Sequence, residues 1–402
     1  MSLDFAQVIA QVQRLVARSG GQTAERAQRL ERAIALWDAW TGREVELAAR
    51  LDEGEALWPV AGHLEPWNAV RPPAPLPASY TVFATDGSHV DVDRNAPARC
   101  FLVNIGEATL TYGDSPAATL RSEPALAFED ENLALEGARG QRIPLEGSLL
   151  TLKRAVMEME ALAALAEELP SDIPALALVD GPLLPWGLAS YEQVPSQLER
   201  EFRLAMSRLE DRAHRSPVAV AGYISYPRAA EVIGLLRLAA CPMEPPSRFP
   251  ACALCQDAHR GDTVPCESAL GGLLDRDLFW ALLEPGERSP LFRDGHRRST
   301  AGPGSEEAAS LYLRTESEVA RLEVPRWVAQ DETLMSLAHA LAWQQVERGQ
   351  GYPVALQEAH ERAVITTAER DAFWQTVERL LGDQRLPVRT SAKRRSKQLR
   401  WL

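Results

Sequence analysis

An α/β fold, a mixed sheet with helices on both faces, is predicted by three features of the chain. "YTVFATDG" and "CFLVNIGEATLTYG" read as successive strands, with "PALAFED" as a third, and turn residues separate them. A helical stretch over about 145–169 follows, and then "ALALVDGPLL" forms the continuous apolar run of a strand buried on both faces. Beyond it a charged helix over about 196–214, the apolar strand "VAVAGYIS" and the helix "AAEVIGLLRLAA" continue the alternation. Three antiparallel strands, a crossover helix, and then strands alternating with helices is the order of an RNase H-like core.

The elements around that core follow from local signals. Phe5, Val8, Ile9, Val12, Leu15 and Val16 recur at helical spacing, "RSGGQ" interrupts them, and Thr23 suits the cap of a second helix reaching about residue 51. The start therefore reads as a helical hairpin. "RPPAPLPA", 71–78, suits neither a helix nor a sheet and reads as a stiff connector. The Pro-, Gly- and Cys-rich stretch 241–304 reads as an insertion with short helices, and helix returns in "LMSLAHALAWQQVERG" and "PVALQEAHERAVITTAERDAFWQTVERLL". The expected organisation is a hairpin and linker over 1–75, an RNase H-like domain over 76–384, and a basic tail over 385–402.

Composition narrows the function classes. The chain has 402 residues, 46% hydrophobic and 25% charged, which suits one large or two ordinary globular domains. No apolar run approaches the roughly 18 residues of a membrane span, and the first residues lack the basic start and cleavage site of a signal peptide, so a cytoplasmic protein without membrane contact is expected. Five cysteines do not make a disulfide framework. A net charge of −13 argues against a protein coated by nucleic acid, yet Arg385, Arg389, Lys393, Arg394, Arg395, Lys397 and Arg400 form an end free of acids, a candidate phosphate-binding tail.

Two acids share one context: Asp86 in "FATDGS" and Asp180 in "ALVDGPL" each end a strand-like run and precede a glycine. In an open α/β sheet ligands bind outside the carboxyl ends of strands, so acids placed there converge across a long stretch of sequence. Converging carboxylates raise one another's pKa unless a cation lies between them, which points to a divalent metal. Glycine after each acid permits a sharp turn and the close approach of a phosphate. A third acid is expected from the intervening helix. Glu160 lies in line with Lys153 and Glu167, a solvated stripe, whereas Glu158 lies in line with Leu162, Leu165 and Leu169, so Glu158 is preferred.

"ATDGS", "RAVMEME", "LVDGPL" and "GYPVALQEAHERAVI" together resemble the NurA family of DNA-end nucleases over about 80–382. The resemblance implies a site of Asp86, a helix glutamate, Asp180, Tyr352 and His360. It also implies manganese as cofactor, a homodimer, and degradation of single-stranded and duplex DNA ends with 5′ to 3′ polarity beside the hexameric HerA ATPase, in end resection for double-strand break repair. The residues can be read beside it. Pro353 suits a first helical turn, which places Tyr352 at the helix mouth and His360 two turns along on nearly the same face. Carboxylates suit Mg²⁺ or Mn²⁺, and an imidazole shifts the preference toward Mn²⁺. The expected ligands are Asp86, bridging two ions, with Asp180 and Glu158 on one each; His360 serves a metal or the leaving group, and Tyr352 the phosphate. Arg389, Lys393, Arg394, Arg395 and Lys397 are the expected DNA contacts.

Other features have plainer readings. Cys252, Cys255, His259 and Cys266 could hold a structural zinc, but only the opening C-x2-C is a proper half-site, and unliganded thiols are favoured. Asp91 and Asp93 read as a solvated strand face, and Asp331 and Glu332 as helix-capping acids. Trp186 and Tyr191 could stack on unpaired bases, with core or lid packing as the alternative. Two rival functions remain: an actin-like ATP-binding protein, which "LVDGPLLPWG" disfavours by placing prolines where phosphate-binding amides would be needed, and a non-catalytic scaffold for a DNA translocase.

Overall fold

The computed structural model describes residues 3–52, 56–93, 97–137, 140–183, 196–241, 252–293 and 308–385. The chain divides into two compact units, one of residues 1–73 and 225–322, the other of 74–224 and 323–402. The first unit ends its first segment at residue 73, and its second segment, 225–322, contains the stretch 241–304 and extends beyond it on both sides. The reason is burial: the helix Glu231–Ala239 joins a core with Trp37, Trp67, Leu278 and Phe279.

The second unit is built on five strands: β1 (Tyr80–Val90), β2 (Phe101–Tyr112), β3 (Ala117–Ala127), β4 (Ala175–Asp180) and β5 (Val218–Ile224). Their order in the sheet is β5-β4-β1-β2-β3. β1, β2 and β3 pair antiparallel, while β4 runs parallel to both β1 and β5. This is the RNase H-like topology the segment order predicts. Only the start of "PALAFED", Pro124 to Ala127, is strand, because β3 begins at Ala117 and stops at Ala127.

Helices α1 (Ser148–Glu168) and α2 (Ser196–Ala213) cover one face, burying Leu150, Val156, Met159, Leu162, Leu198 and Phe202 with Phe83, Val103 and Val220 of the sheet. Each fully buried side chain of this kind contributes about 1.5–3 kcal/mol, and the continuous apolar run of β4 reflects cover on both sides. The opposite face carries α3 (Glu332–Arg348) and α4 (Val354–Ala363), followed by α5 (Thr367–Asp383). Asp331 caps α3 by accepting from the amides of Thr333 and Leu334, and Asp91 accepts from the amide of Gly147 at the start of α1.

In the first unit the expected hairpin is one continuous helix, Phe5–Trp40, followed by Glu44–Asp52. The apolar positions before and after the glycine pair keep a single helical phase, so the roughly 1 kcal/mol cost of each glycine is absorbed by a long cooperative segment. Strands Ala308–Arg314 and Val319–Pro325, which the sequence reading left unassigned, lie side by side, the second running past the end of this unit at Leu322, with Phe292–Arg293 and Gly62–His63 beyond the first of them. The wholly buried carboxylate of Asp275 accepts from the amides of Glu231 and Ile233 and from the Tyr312 hydroxyl, supplying a helix cap from a distant part of the chain. Among the described residues no helix is long and apolar enough to cross a membrane.

Candidate active site

The site forms where the parallel ladder ends. β1 is paired with β4 only as far as Thr85 opposite Val179, and then continues to Val90 with β2 alone. Asp86 is the first residue past that ladder, and Asp180 is the last residue of β4. A notch opens beside β1 at this level, so groups from both faces of the sheet meet there.

The two aspartates reach the notch differently. After Asp180 the chain does turn, with Gly181 at φ +95° and its amide donating to the Tyr223 carbonyl. After Asp86 it does not turn: Gly87 to Val90 continue the strand, against the expectation of a strand-end turn. Gly87 serves another purpose. A Cβ there would lie 2.5 Å from Glu158 Oε1 and 3.0 Å from Arg154 Cγ, so its bare face admits the side chains of α1, and the space expected for a phosphate is taken by protein.

Glu158 enters from α1. The Thr85 hydroxyl donates to the Glu158 carbonyl at 2.9 Å, pinning that turn of helix to the strand beside Asp86. The carboxyl group is buried, and its pKa is pushed up to about 8, first by desolvation and further by Asp86 and Asp180, with Arg154 opposing. Arg154 Nε stands 3.2 Å from Glu158 Oε1 but out of hydrogen-bond alignment, and both atoms are left without a hydrogen-bond partner. The Arg154 guanidinium donates instead to the Gly87 carbonyl. Glu160, the competing acid, sits among Lys153, Glu201 and Arg208, away from the aspartates.

The segment leading into α4 supplies one partner for each aspartate. His360 Nδ1 lies 2.7 Å from Asp86 Oδ2, and Asp86 Oδ1 accepts from the Gly87 amide. Tyr352, two residues before the helix, donates its hydroxyl to Asp180 and packs edge-on against Tyr223 at 5.6 Å. Asp180 is raised in pKa chiefly by burial of its carboxylate; the Tyr352 hydrogen bond and His360 pull the other way, and Asp86 adds to the rise. Burial and the neighbouring Asp180 push the Tyr352 phenol well above its ordinary value.

Sequence reasoning named Asp86, Glu158, Asp180, Tyr352 and His360, and the structure brings all five to this notch. It gave no role to Thr85 or to Arg154, one turn before Glu158, and it gave Gly87 a turn and a phosphate to admit where the structure gives it the side chains of α1. The basic tail residues Arg389, Lys393, Arg394, Arg395 and Lys397, and the aromatic residues Trp186 and Tyr191, lie outside the described residues.

Among the described residues no three His, Cys, Asp or Glu side chains are disposed as a ready metal shell. In the cysteine-rich stretch Cys252 and Cys266 are buried thiols, while His259 Nδ1 is engaged by the Cys255 carbonyl at 2.9 Å. At the notch the donors converge without closing. Three converging carboxylates, of which Glu158 and Asp180 are raised in pKa by burial and by acidic neighbours and Glu158 has a buried oxygen without a hydrogen-bond partner, are what a divalent cation would relieve, and oxygen donors with one imidazole fit Mg²⁺ or Mn²⁺.

The model of the NurA domain matches residues 80–365, a span that contains all five residues. The chain belongs to the NurA family. Among solved structures it is similar to a crystal structure of NurA with manganese, at 12% identity and a TM-score of 0.34, covering 77% of this chain and 90% of that one. It is also similar to the catalytic domain of human endonuclease V, at 14% identity and a TM-score of 0.32 over 86% and 97% of the two chains. A type 1 RNase H with a type 2 active-site motif, LC9-RNase H1, follows at 10% identity and 0.20 over 40% and 69%. No curated protein matches the chain. The NurA domain and the convergent acids make this protein a nuclease.

Proposed function

We propose that the chain is a Mn²⁺-dependent deoxyribonuclease that degrades single-stranded and duplex DNA ends with 5′ to 3′ polarity. In this reading it is a cytoplasmic homodimer serving end resection in double-strand break repair beside a HerA-type hexameric ATPase. The convergence of Asp86, Glu158 and Asp180 at one notch of a NurA domain carries the reading.

Asp86, Asp180 and Glu158 would hold the cation. A divalent cation in such a site supplies Lewis-acid stabilisation of phosphoryl oxygens and a more acidic bound water. The chain's own groups do the rest. His360 Nδ1 holds Asp86 in place, which leaves Nε2 to exchange a proton with the departing 3′ oxygen as water adds to phosphorus and the P–O3′ bond breaks. Tyr352 orients Asp180 and stands at the mouth of α4, whose free amides suit an anion. Arg389, Lys393, Arg394, Arg395 and Lys397 add sequence-independent phosphate contacts.

End-labelled linear DNA incubated with the purified protein and Mn²⁺, without ATP, should release nucleotides. Asp86→Ala should abolish release while leaving DNA binding intact. Cleavage that survives Asp86→Ala refutes the site. ATP hydrolysis by the lone protein would favour the actin-like alternative, and DNA binding without cleavage would favour a scaffold.

A further inference from the structure

α4 is held onto the sheet by a set of polar contacts at its C-terminal end. Asn104 of β2 donates through Nδ2 to the carbonyls of Arg362 and Ala363, both at 2.9 Å, and the Ser88 hydroxyl of β1 donates to the Ala363 carbonyl. These are carbonyls of the last helical turn, which have no partner within the helix. The amide of Asn104 is fixed in turn by Ser122 of β3, whose hydroxyl donates to Asn104 Oδ1 at 2.9 Å. Three adjacent strands thus each give one polar side chain.

Register places this row beside the site. Ser88 pairs with Asn104, Asp86 pairs with Gly106, and Gly106 pairs with Ser122, so all five residues share the face that carries α4. At Gly106 the helix backbone comes close: an added Cβ would lie 2.1 Å from the Ala359 carbonyl oxygen and 2.4 Å from the Ala363 nitrogen. His360 follows Ala359, and its ring reaches Asp86, directly across from Gly106. The bare glycine sets the height of α4 above the sheet, and the Asn104 clamp sets its position along the strands.

We propose that Asn104, oriented by Ser122 and assisted by Ser88, is a positioning residue that fixes His360 on Asp86. Asn104 reaches no reacting atom; it acts through the helix. The proposal rests on the nuclease reading for its kinetic consequence, while the state of the His360 ring tests it without that reading.

A double-mutant cycle provides the kinetic arm. Asn104→Ala should lower kcat about 10–100-fold with KM changed less than about 3-fold, because a shift of about 1 Å in a catalytic group costs on that order. In a His360→Ala background the same substitution should cost less than about 2-fold, since the group it positions is gone. Equal losses in both backgrounds would show a merely structural role and overturn the proposal. The second arm is ¹⁵N NMR of the histidine rings, with His360 assigned by its absence from His360→Ala. The Nδ1-protonated signature of a ring donating to Asp86 should be present in the unsubstituted protein, and lost or averaged in Asn104→Ala and in the milder Ser122→Ala. An unchanged ring signal in both variants overturns the proposal even if the protein proves not to be a nuclease; a lost signal supports it in that case too.

Discussion

Glu158→Gln should make the metal-free protein more stable at alkaline pH while removing its activity. The folded-state pKa of Glu158 is about 8 against an ordinary 4.5, so between those values the native state holds a proton that the unfolded chain has lost. Stability therefore falls as pH rises through that window and levels off above it. At about 1.36 kcal/mol per unit, the window amounts to about 5 kcal/mol, a ceiling that relaxation around the ionised group reduces to roughly 2–5 kcal/mol. Glutamine reproduces the protonated acid in shape and never ionises. Wild type and variant should then agree within about 1 kcal/mol at pH 5 and diverge in favour of the variant at pH 9, by roughly 2–6 °C in Tm. Thermal or urea unfolding in EDTA at both pH values measures this. Mn²⁺ at pH 9 should raise the Tm of the wild type more than that of the variant, since only the carboxylate gains a counter-charge. Parallel pH curves, or a variant less stable at pH 9, would refute the assignment of Glu158 as a buried acid that awaits a cation.

Three further outcomes follow from the same geometry. Gly87→Ala would press a methyl group against Glu158 Oε1, which must withdraw by somewhat under an ångström; activity should fall about 100-fold with Tm nearly unchanged, because the displaced atom is the end of a side chain. Tyr352→Phe removes a hydrogen bond that favours ionised Asp180, so the acidic limb of the rate–pH profile should move to higher pH, and a limb that stays put would deny that link. Deleting 386–402 should weaken duplex binding and flatten the dependence of log K on log salt by about 0.9 for each lost phosphate contact, whereas an unchanged slope would show that the tail does not touch DNA.

The fold and much of the notch were legible because their signals are local. Strand-like runs that end in an acid, and a helix with one carboxylate on its apolar side, can be read without tertiary information. What the sequence hid depends on groups distant along the chain. Gly87 looks like a turn residue beside Asp86 and becomes a packing residue only because α1 presses Arg154 and Glu158 against it. Gly106 and Asn104, in "FLVNIGEAT", read as imperfections in an apolar strand until α4 is seen lying on them. The continuous helix Phe5–Trp40 was obscured by "SGG", where local propensity gave way to a phase that runs through the whole segment.

Whether Asp86, Glu158 and Asp180 form one cation site is tested most directly by anomalous diffraction at the manganese edge from a crystal soaked in Mn²⁺. An anomalous peak should appear in contact with the carboxylates of Asp86 and Asp180, with Glu158 turned toward it. Saturating Mn²⁺ that leaves the notch without a peak, or that gathers elsewhere on the protein, would contradict the shared site.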